Sequence, residues 1–119
     1  MPDPNKQYIL EERTAKFGES VIILCSSIQL TTVTRPLISQ LVRSATSIGA
    51  NYMEANGASS RKDFRNKIHI CKKEAQETQH WLRMLGTAMP SRKDELRILW
   101  QECHEFVLIF QKITTTMRS

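Results

Sequence analysis

The chain has 119 residues and a net charge of +5, with 40% hydrophobic, 24% charged and 7% aromatic residues. That is the balance of one globular domain, residues 1–119, which at this length buries roughly two-thirds of its unfolded surface and needs no disulfide or metal staple. No apolar run approaches the ~20 residues of a membrane span, so a membrane-embedded role is excluded.

Taken in order, the chain shows four amphipathic helical patterns. The first is expected over about 5–29, opened by Asp3 as cap and Pro4 in the first turn. Its apolar seam is Leu10, Thr14, Phe17, Val21, Leu24 and Ile28, alternating four and three residues. The β-branched run 30–34 is weak helix and reads as a connection. The second helix is expected over 35–56, with Pro36 in the first turn after Thr34 or Arg35. Leu37, Leu41, Ser44, Ile48, Tyr52 and Ala55 form its seam, and Asn56-Gly57 is a stop signal. The third helix is expected over 60–85, opened by the capping-box-like pair Ser60/Asp63 and ended by Gly86. Phe64, Ile68, Cys71, Ala75, Thr78, Leu82 and Leu85 form its seam. The fourth, over 91–116, starts at Ser91 with Asp94 and Glu95 where the helix dipole favours them. Its seam is Leu96, Leu99, Cys103, Phe106, Phe110, Ile113 and Met117. Four helices with short connections run antiparallel to their neighbours, which predicts an all-α, up-down-up-down four-helix bundle.

The second helix carries more than a core seam. Ile38, Val42, Ala45, Gly49 and Met53 form a second apolar stripe about 100° round from the first. Ala45 and Gly49 are small at i, i+4, so another helix could approach closely. With Ile70 and Trp81 projecting off the third helix's seam, this excess predicts a homo-oligomer. Arg43, Ser47, Asn51 and Glu54 make a polar stripe on a third face, with Glu74 and Glu77 as partners for Arg43, and Lys67 or Lys73 for Glu54. Two readings fit it: a hydrated face with ion pairs, or a polar network half-buried between helices or subunits.

Charge is uneven. Residues 61–90 hold seven Lys/Arg against three acids, net +4 of the +5. Arg61, Arg65, Lys72 and Arg83 fall within about 40° on the wheel, extended by Lys62 and Lys73. A linear basic stripe suits a phosphate backbone. A solvated flank is the competing reading, because no aromatic platform is interleaved in the stripe.

Enzyme chemistry finds no constellation. Glu77-x-x-His80 is half of the motif that di-iron bundles need twice, and it projects away from the core seam. Ser59-x-x-Lys62 lies in a helix cap with no partner motif. No phosphate-binding glycine loop occurs. Cys25, Cys71 and Cys103 form no Cys-x-x-Cys, and an odd count reads as free thiols. No catalytic residue, metal, cofactor or small-molecule substrate is expected. Residues 1–20 carry Glu11, Glu12, Arg13 and Lys16 without a long apolar core, which predicts no secretion signal and a cytoplasmic location.

The run Arg43-Ser44-Ala45-Thr46-Ser47-Ile48-Gly49-Ala50-Asn51 with Glu54, then Ser60-Arg61-Lys62-Asp63-Phe64, then Lys73-Glu74-Ala75-Gln76-Glu77-Thr78-Gln79-His80-Trp81-Leu82, resembles the bacterial proteins encoded by intervening sequences in large-subunit rRNA genes. These are sometimes labelled ribosomal proteins. The likeness is close over the second and third helices and one of pattern over the first and fourth. Ala55 stands where the family usually has Gly. The resemblance implies an antiparallel bundle assembled as a homopentameric ring. The fold is also similar to accessory proteins of diversity-generating retroelements, basic pentamers that bind a reverse transcriptase and RNA. Two partner classes follow as expectations: RNA or a ribonucleoprotein through the basic stripe, or a protein such as a polymerase through the apolar excess, with Trp81 and Trp100 as anchors.

Overall fold

The computed structural model describes residues 4–117 and, within them, four α-helices: α1 Pro4–Ser26, α2 Thr34–Asn56, α3 Arg61–Ala88 and α4 Lys93–Thr116. A 3₁₀ turn, Pro90–Arg92, leads into α4. The helices run up, down, up, down in a bundle of 46 × 21 × 20 Å. Each seam read from the sequence faces the core, with Leu37, Leu99, Ile113 and Met117 half-buried at its margins. Phe17, Val21, Leu41, Ile48, Tyr52, Phe64, Ile68, Leu82, Leu85, Phe106 and Phe110 are all buried. Phe17 meets Phe106 edge to face at 5.4 Å, and Tyr52 lies 6.1 Å from Phe110.

The helix ends follow local chemistry, with three departures from expectation. Ser60 caps α3, its Oγ accepting from the Asp63 amide at 3.0 Å. The cap of α2 comes from Thr31 instead of Thr34 or Arg35. Thr31 Oγ1 accepts from the Thr34 amide at 3.1 Å, and Thr34 Oγ1 accepts from the Thr31 amide at 2.8 Å. This is a reciprocal capping box with threonine in place of the usual acidic partner. Gly86 does not end α3; the helix runs to Ala88 and stops before Pro90. Glycine only weakens a helix, whereas proline removes its hydrogen bond. Ser91 makes no cap and lies within the 3₁₀ turn. Asp3, expected as the cap of α1, lies outside the described residues.

The outer side of the closing edge between α1 and α4 is bridged by Arg13. Arg13 donates through Nε and Nη2 to the two Glu102 oxygens at 2.8 and 2.6 Å, and Nη2 also reaches Glu105 at 3.0 Å. Its guanidinium lies 5.2 Å above the Phe106 ring. A planar fork suits this double task better than an ammonium.

The second apolar stripe of α2 has a different use from the one expected. Ala45 is fully buried within the chain, and Gly49 faces α1 so closely that a Cβ there would meet Thr14 Oγ1 at 3.3 Å. A Cβ at Gly18 of α1 would in turn lie 3.6 Å from Thr46. These small residues seat α1 against α2, so Ala45, wholly enclosed, is corrected from an oligomer contact to an internal one, while Gly49 is half-buried and also lines the groove between the two helices. Ile38 and Val42 are half-buried and pack on the same core; Met53 alone of the stripe is left exposed, at 64%.

Two outcomes follow. Gly49→Leu forces α1 off its seat and costs about 1–3 kcal/mol by overpacking, read as a lower urea midpoint with unchanged m-value. Burial pushes Cys25 up to about 11 and Cys71 and Cys103 up to about 12 from an ordinary 9. The native thiols therefore stay protonated and resist a thiol reagent at pH 8, all three reacting only in denaturant. Because the folded values are raised, their contribution to stability is intact below about pH 9 and is lost as pH climbs toward 12.

Candidate nucleic-acid interface

The charged residues of α3 and α4 sort by groove. On the flank of α3 that faces α2, Arg43 bonds Glu74 at 3.1 Å and also Glu77, and Lys67 bonds Glu54 at 3.0 Å. Trp81 Nε1 donates to Glu77 at 3.1 Å, and edge contact with the exposed His80 ring flanks the indole. Ser47 and Asn51 bond each other, Asn51 Nδ2 to Ser47 Oγ at 2.9 Å. The polar stripe is thus three neighbouring groups along one groove. Its ion pairs straddle the surface: the Arg43 side chain is 47% exposed and that of Glu74 13%. One fully buried bond lies beneath them, Thr78 Oγ1 to Ser44 Oγ at 2.9 Å. Ile70, on the same flank, is 39% exposed.

The carboxylates of α4 are taken up elsewhere. Glu102 and Glu105 engage Arg13 of α1, and Glu95 engages Arg92 at 2.7 Å. Asp63 sits at the cap of α3 and Asp94 stands exposed in the first turn of α4.

In the remaining groove of these two helices, between α3 and α4, the charged side chains placed among the described residues are cations. Arg61 reaches across it, Nη2 donating to the Met117 carbonyl at 3.2 Å, and Lys72 reaches Gln111. Arg65 lies one turn on from Arg61. At the far end Arg83 shares a cleft of about 430 Å³ with Lys93, Arg97 and Trp100 of α4. No member of this set forms an ion pair among the described residues. Arg61 and Arg83 are 22 positions apart, so the stripe extends roughly 33 Å at 1.5 Å per residue. Lys62 and Lys73 fall outside it, on the exposed outer face of α3.

Sequence reading found the α3 half of this groove and missed the α4 half. Lys93, Arg97, Trp100 and His104 recur at four, three and four residues, a helical stripe visible in the sequence once its partner helix is known. Trp100 and His104 stack with ring centres 5.3 Å apart and planes 11° from parallel. An aromatic surface therefore does stand beside the basic stripe, supplied by the neighbouring helix.

Chemically the groove can attract and track a polyanion. Among the described residues no three His, Cys, Asp or Glu side chains gather as a metal site, and no helix is long and apolar enough to cross a membrane.

Comparison with known proteins agrees with this architecture. No curated protein matches the chain. A crystal structure of a protein with unknown function from the S23 ribosomal protein family of Bacteroides thetaiotaomicron superposes with a TM-score of 0.77 at 29% identity, covering 87% of this chain and 96% of that one. The model of the 23S rRNA-intervening sequence protein family matches residues 6–112. The length of that match, the four helices and the shared fold place the chain in the 23S rRNA-intervening sequence protein family.

Proposed function

We infer that this protein is a non-catalytic, homo-oligomeric bundle that associates with RNA or a ribonucleoprotein along the α3/α4 groove. The observation that carries this reading is the segregation of charge. Arg61, Arg65, Lys72, Arg83, Lys93 and Arg97 line one groove, while the nearby Glu54, Glu74, Glu77, Glu102 and Glu105 are bound in the other two. A solvated helix flank of mixed function would interleave acids and bases at i, i+4 for small gains in stability. An unneutralised line of cations gives those gains up and raises the local concentration of a polyanion. The names of the family and of the structural neighbour point the same way, to ribosomal RNA genes and ribosomal proteins.

Binding to RNA through these six side chains follows counterion release: going from 50 to 200 mM salt weakens it by on the order of a hundred- to a thousandfold. Filter retention of a structured RNA measures this. Combining Arg65→Glu, Lys72→Glu and Arg83→Glu abolishes retention, whereas Lys62→Glu with Lys73→Glu costs far less. Arg61 is left intact in the variant because it ties α3 to the end of α4. Retention unaffected by either salt or the triple variant rejects the reading.

The oligomer rests on apolar surface that the bundle leaves uncovered. Between α1 and α2 a shallow groove of about 340 Å³ has a floor of small residues, Ala15, Gly18 and Ala50, with Ile22 and Met53 exposed at 43% and 64%. Ile98 and Leu108 stand on the outside of α4, 71% and 56% exposed. Two unlike apolar faces on one chain suit a heterologous contact, which makes a ring when its rotation closes, in keeping with the homopentamer implied by the family resemblance. The same faces support the second reading, a protein-binding adaptor without a direct RNA role. Light scattering separates them: the wild type gives a multiple of the chain mass, Ile22→Glu with Ile98→Glu gives a folded monomer, and a monomeric wild type leaves those faces to another protein.

A further inference from the structure

The cleft at the 3₁₀-turn end of the α3/α4 groove differs from the rest of the stripe. Its floor is apolar, formed by Leu82, Leu96 and the half-buried Trp100 indole. Its rim is cationic, with Arg83 on one helix and Lys93 and Arg97 on the other, and no carboxylate lines it. Its volume of about 430 Å³ lies within the roughly 300–1,000 Å³ of small-ligand pockets. A phosphate track needs neither an apolar floor nor an aromatic ring. Both are needed to hold a base taken out of its stack.

Gly86 gives a second, independent indication. It lies buried in the last turn of α3 and lines the cleft, where alanine would favour the helix. Packing does not demand it, since a Cβ there would meet only Leu96 Cδ1, at an ordinary 3.9 Å. What glycine contributes at this position is open space in the cleft.

We propose that this cleft takes one unstacked nucleobase of single-stranded RNA, stacked on Trp100, with Arg83, Lys93 and Arg97 on the flanking phosphates. The assignment rests on the RNA reading above and narrows it to a class: looped, bulged or single-stranded RNA in preference to duplex. Trp100 already stacks with His104, so the base extends an existing aromatic stack. The salt dependence belongs to the phosphates and the strand preference to the indole, so the two separate experimentally.

The experiment uses the full chain with Trp81→Phe, leaving Trp100 as its sole tryptophan. The probes are a 12-nucleotide oligouridylate, a 12-base-pair RNA duplex and a 12-unit abasic ribose-phosphate strand. The expected result is tighter binding of oligouridylate than of either other probe, with quenching of Trp100 emission by oligouridylate alone. Trp100→Leu lowers oligouridylate affinity by about 5- to 150-fold, the worth of one stacked base, without changing the salt slope. Trp100→Phe recovers part of the loss, and Gly86→Ala weakens oligouridylate binding while leaving thermal stability unchanged or higher. Equal binding of oligouridylate and the abasic strand by the otherwise unaltered protein, with no quenching, overturns the base site and leaves the RNA reading standing. Failure of all three probes, and of structured RNA, to bind rejects the RNA reading itself.

Discussion

α3 is packed on two flanks at once, against α2 on one side and α4 on the other, and each flank can be neutralised only by what its neighbour supplies. α2 brings Arg43 and Glu54, which engage Glu74, Glu77 and Lys67. α4 brings its acids to the opposite side, where Arg13 of α1 takes Glu102 and Glu105. The α3/α4 groove is what remains, and its charge is cationic because Glu54, Glu74, Glu77, Glu102 and Glu105 are all engaged on other flanks. Arg13 is therefore more than a latch between the first and last helices. The buried seam Leu96, Cys103, Phe106 and Phe110 sets the rotation of α4, and Arg13 holds Glu102 and Glu105 away from the face that carries Lys93, Arg97 and Trp100.

Such a groove costs the fold little. Two unit charges 10 Å apart in water repel by about 0.4 kcal/mol, and salt screens most of that beyond a Debye length of roughly 8–10 Å. Arg61, Arg65, Lys72 and Arg83 are four to eleven residues apart along α3, so most of their repulsion is of this weak kind. Meanwhile stability is carried by the inner seams, where Phe17, Phe106 and Phe110 meet and where Tyr52, Ile68 and Leu82 are fully enclosed. The basic stripe and the core thus occupy different faces of the same helix, and substitutions in the stripe can change binding without disturbing the seam.

Much of the fold was legible from periodicity. The seams of all four helices were read position by position, because a buried stripe at 3.6-residue spacing is a property of one helix alone. The cross-helix pairs of Arg43 with Glu74 and Glu77 and of Glu54 with Lys67 were legible too, but which flank of a helix its neighbour covers was not. The stripe Ile38, Val42, Ala45, Gly49, Met53 looked surplus because one seam was taken as all that a helix needs. In a four-helix bundle each helix also has two flanks to cover, and α1 covers this one through contacts such as Gly49 with Thr14. The basic stripe was visible on α3, yet its aromatic neighbour Trp100 comes from 17 or more residues further along the chain, beyond any single-helix pattern. The end of α3 was misplaced for a simpler reason: Gly86 resembles a stop signal, and only Pro90 enforces one.

The departures from local preference carry the most functional weight. Three glycines sit within the helices, Gly18 and Gly49 at the α1/α2 contact and Gly86 in the last turn of α3, and the structure separates their purposes. Gly49 is needed for packing, since Thr14 leaves a Cβ only 3.3 Å. Gly86 has ordinary room beside it, and its effect is felt in the cleft beneath Arg83 and Trp100. A residue that weakens its own helix without serving the core is the kind of local inconsistency expected at a site where something else must fit. That Gly86 lines the same cleft as the cationic rim and Trp100 ties the sequence anomaly, the shape of the cleft and the segregation of charge to a single end of the bundle.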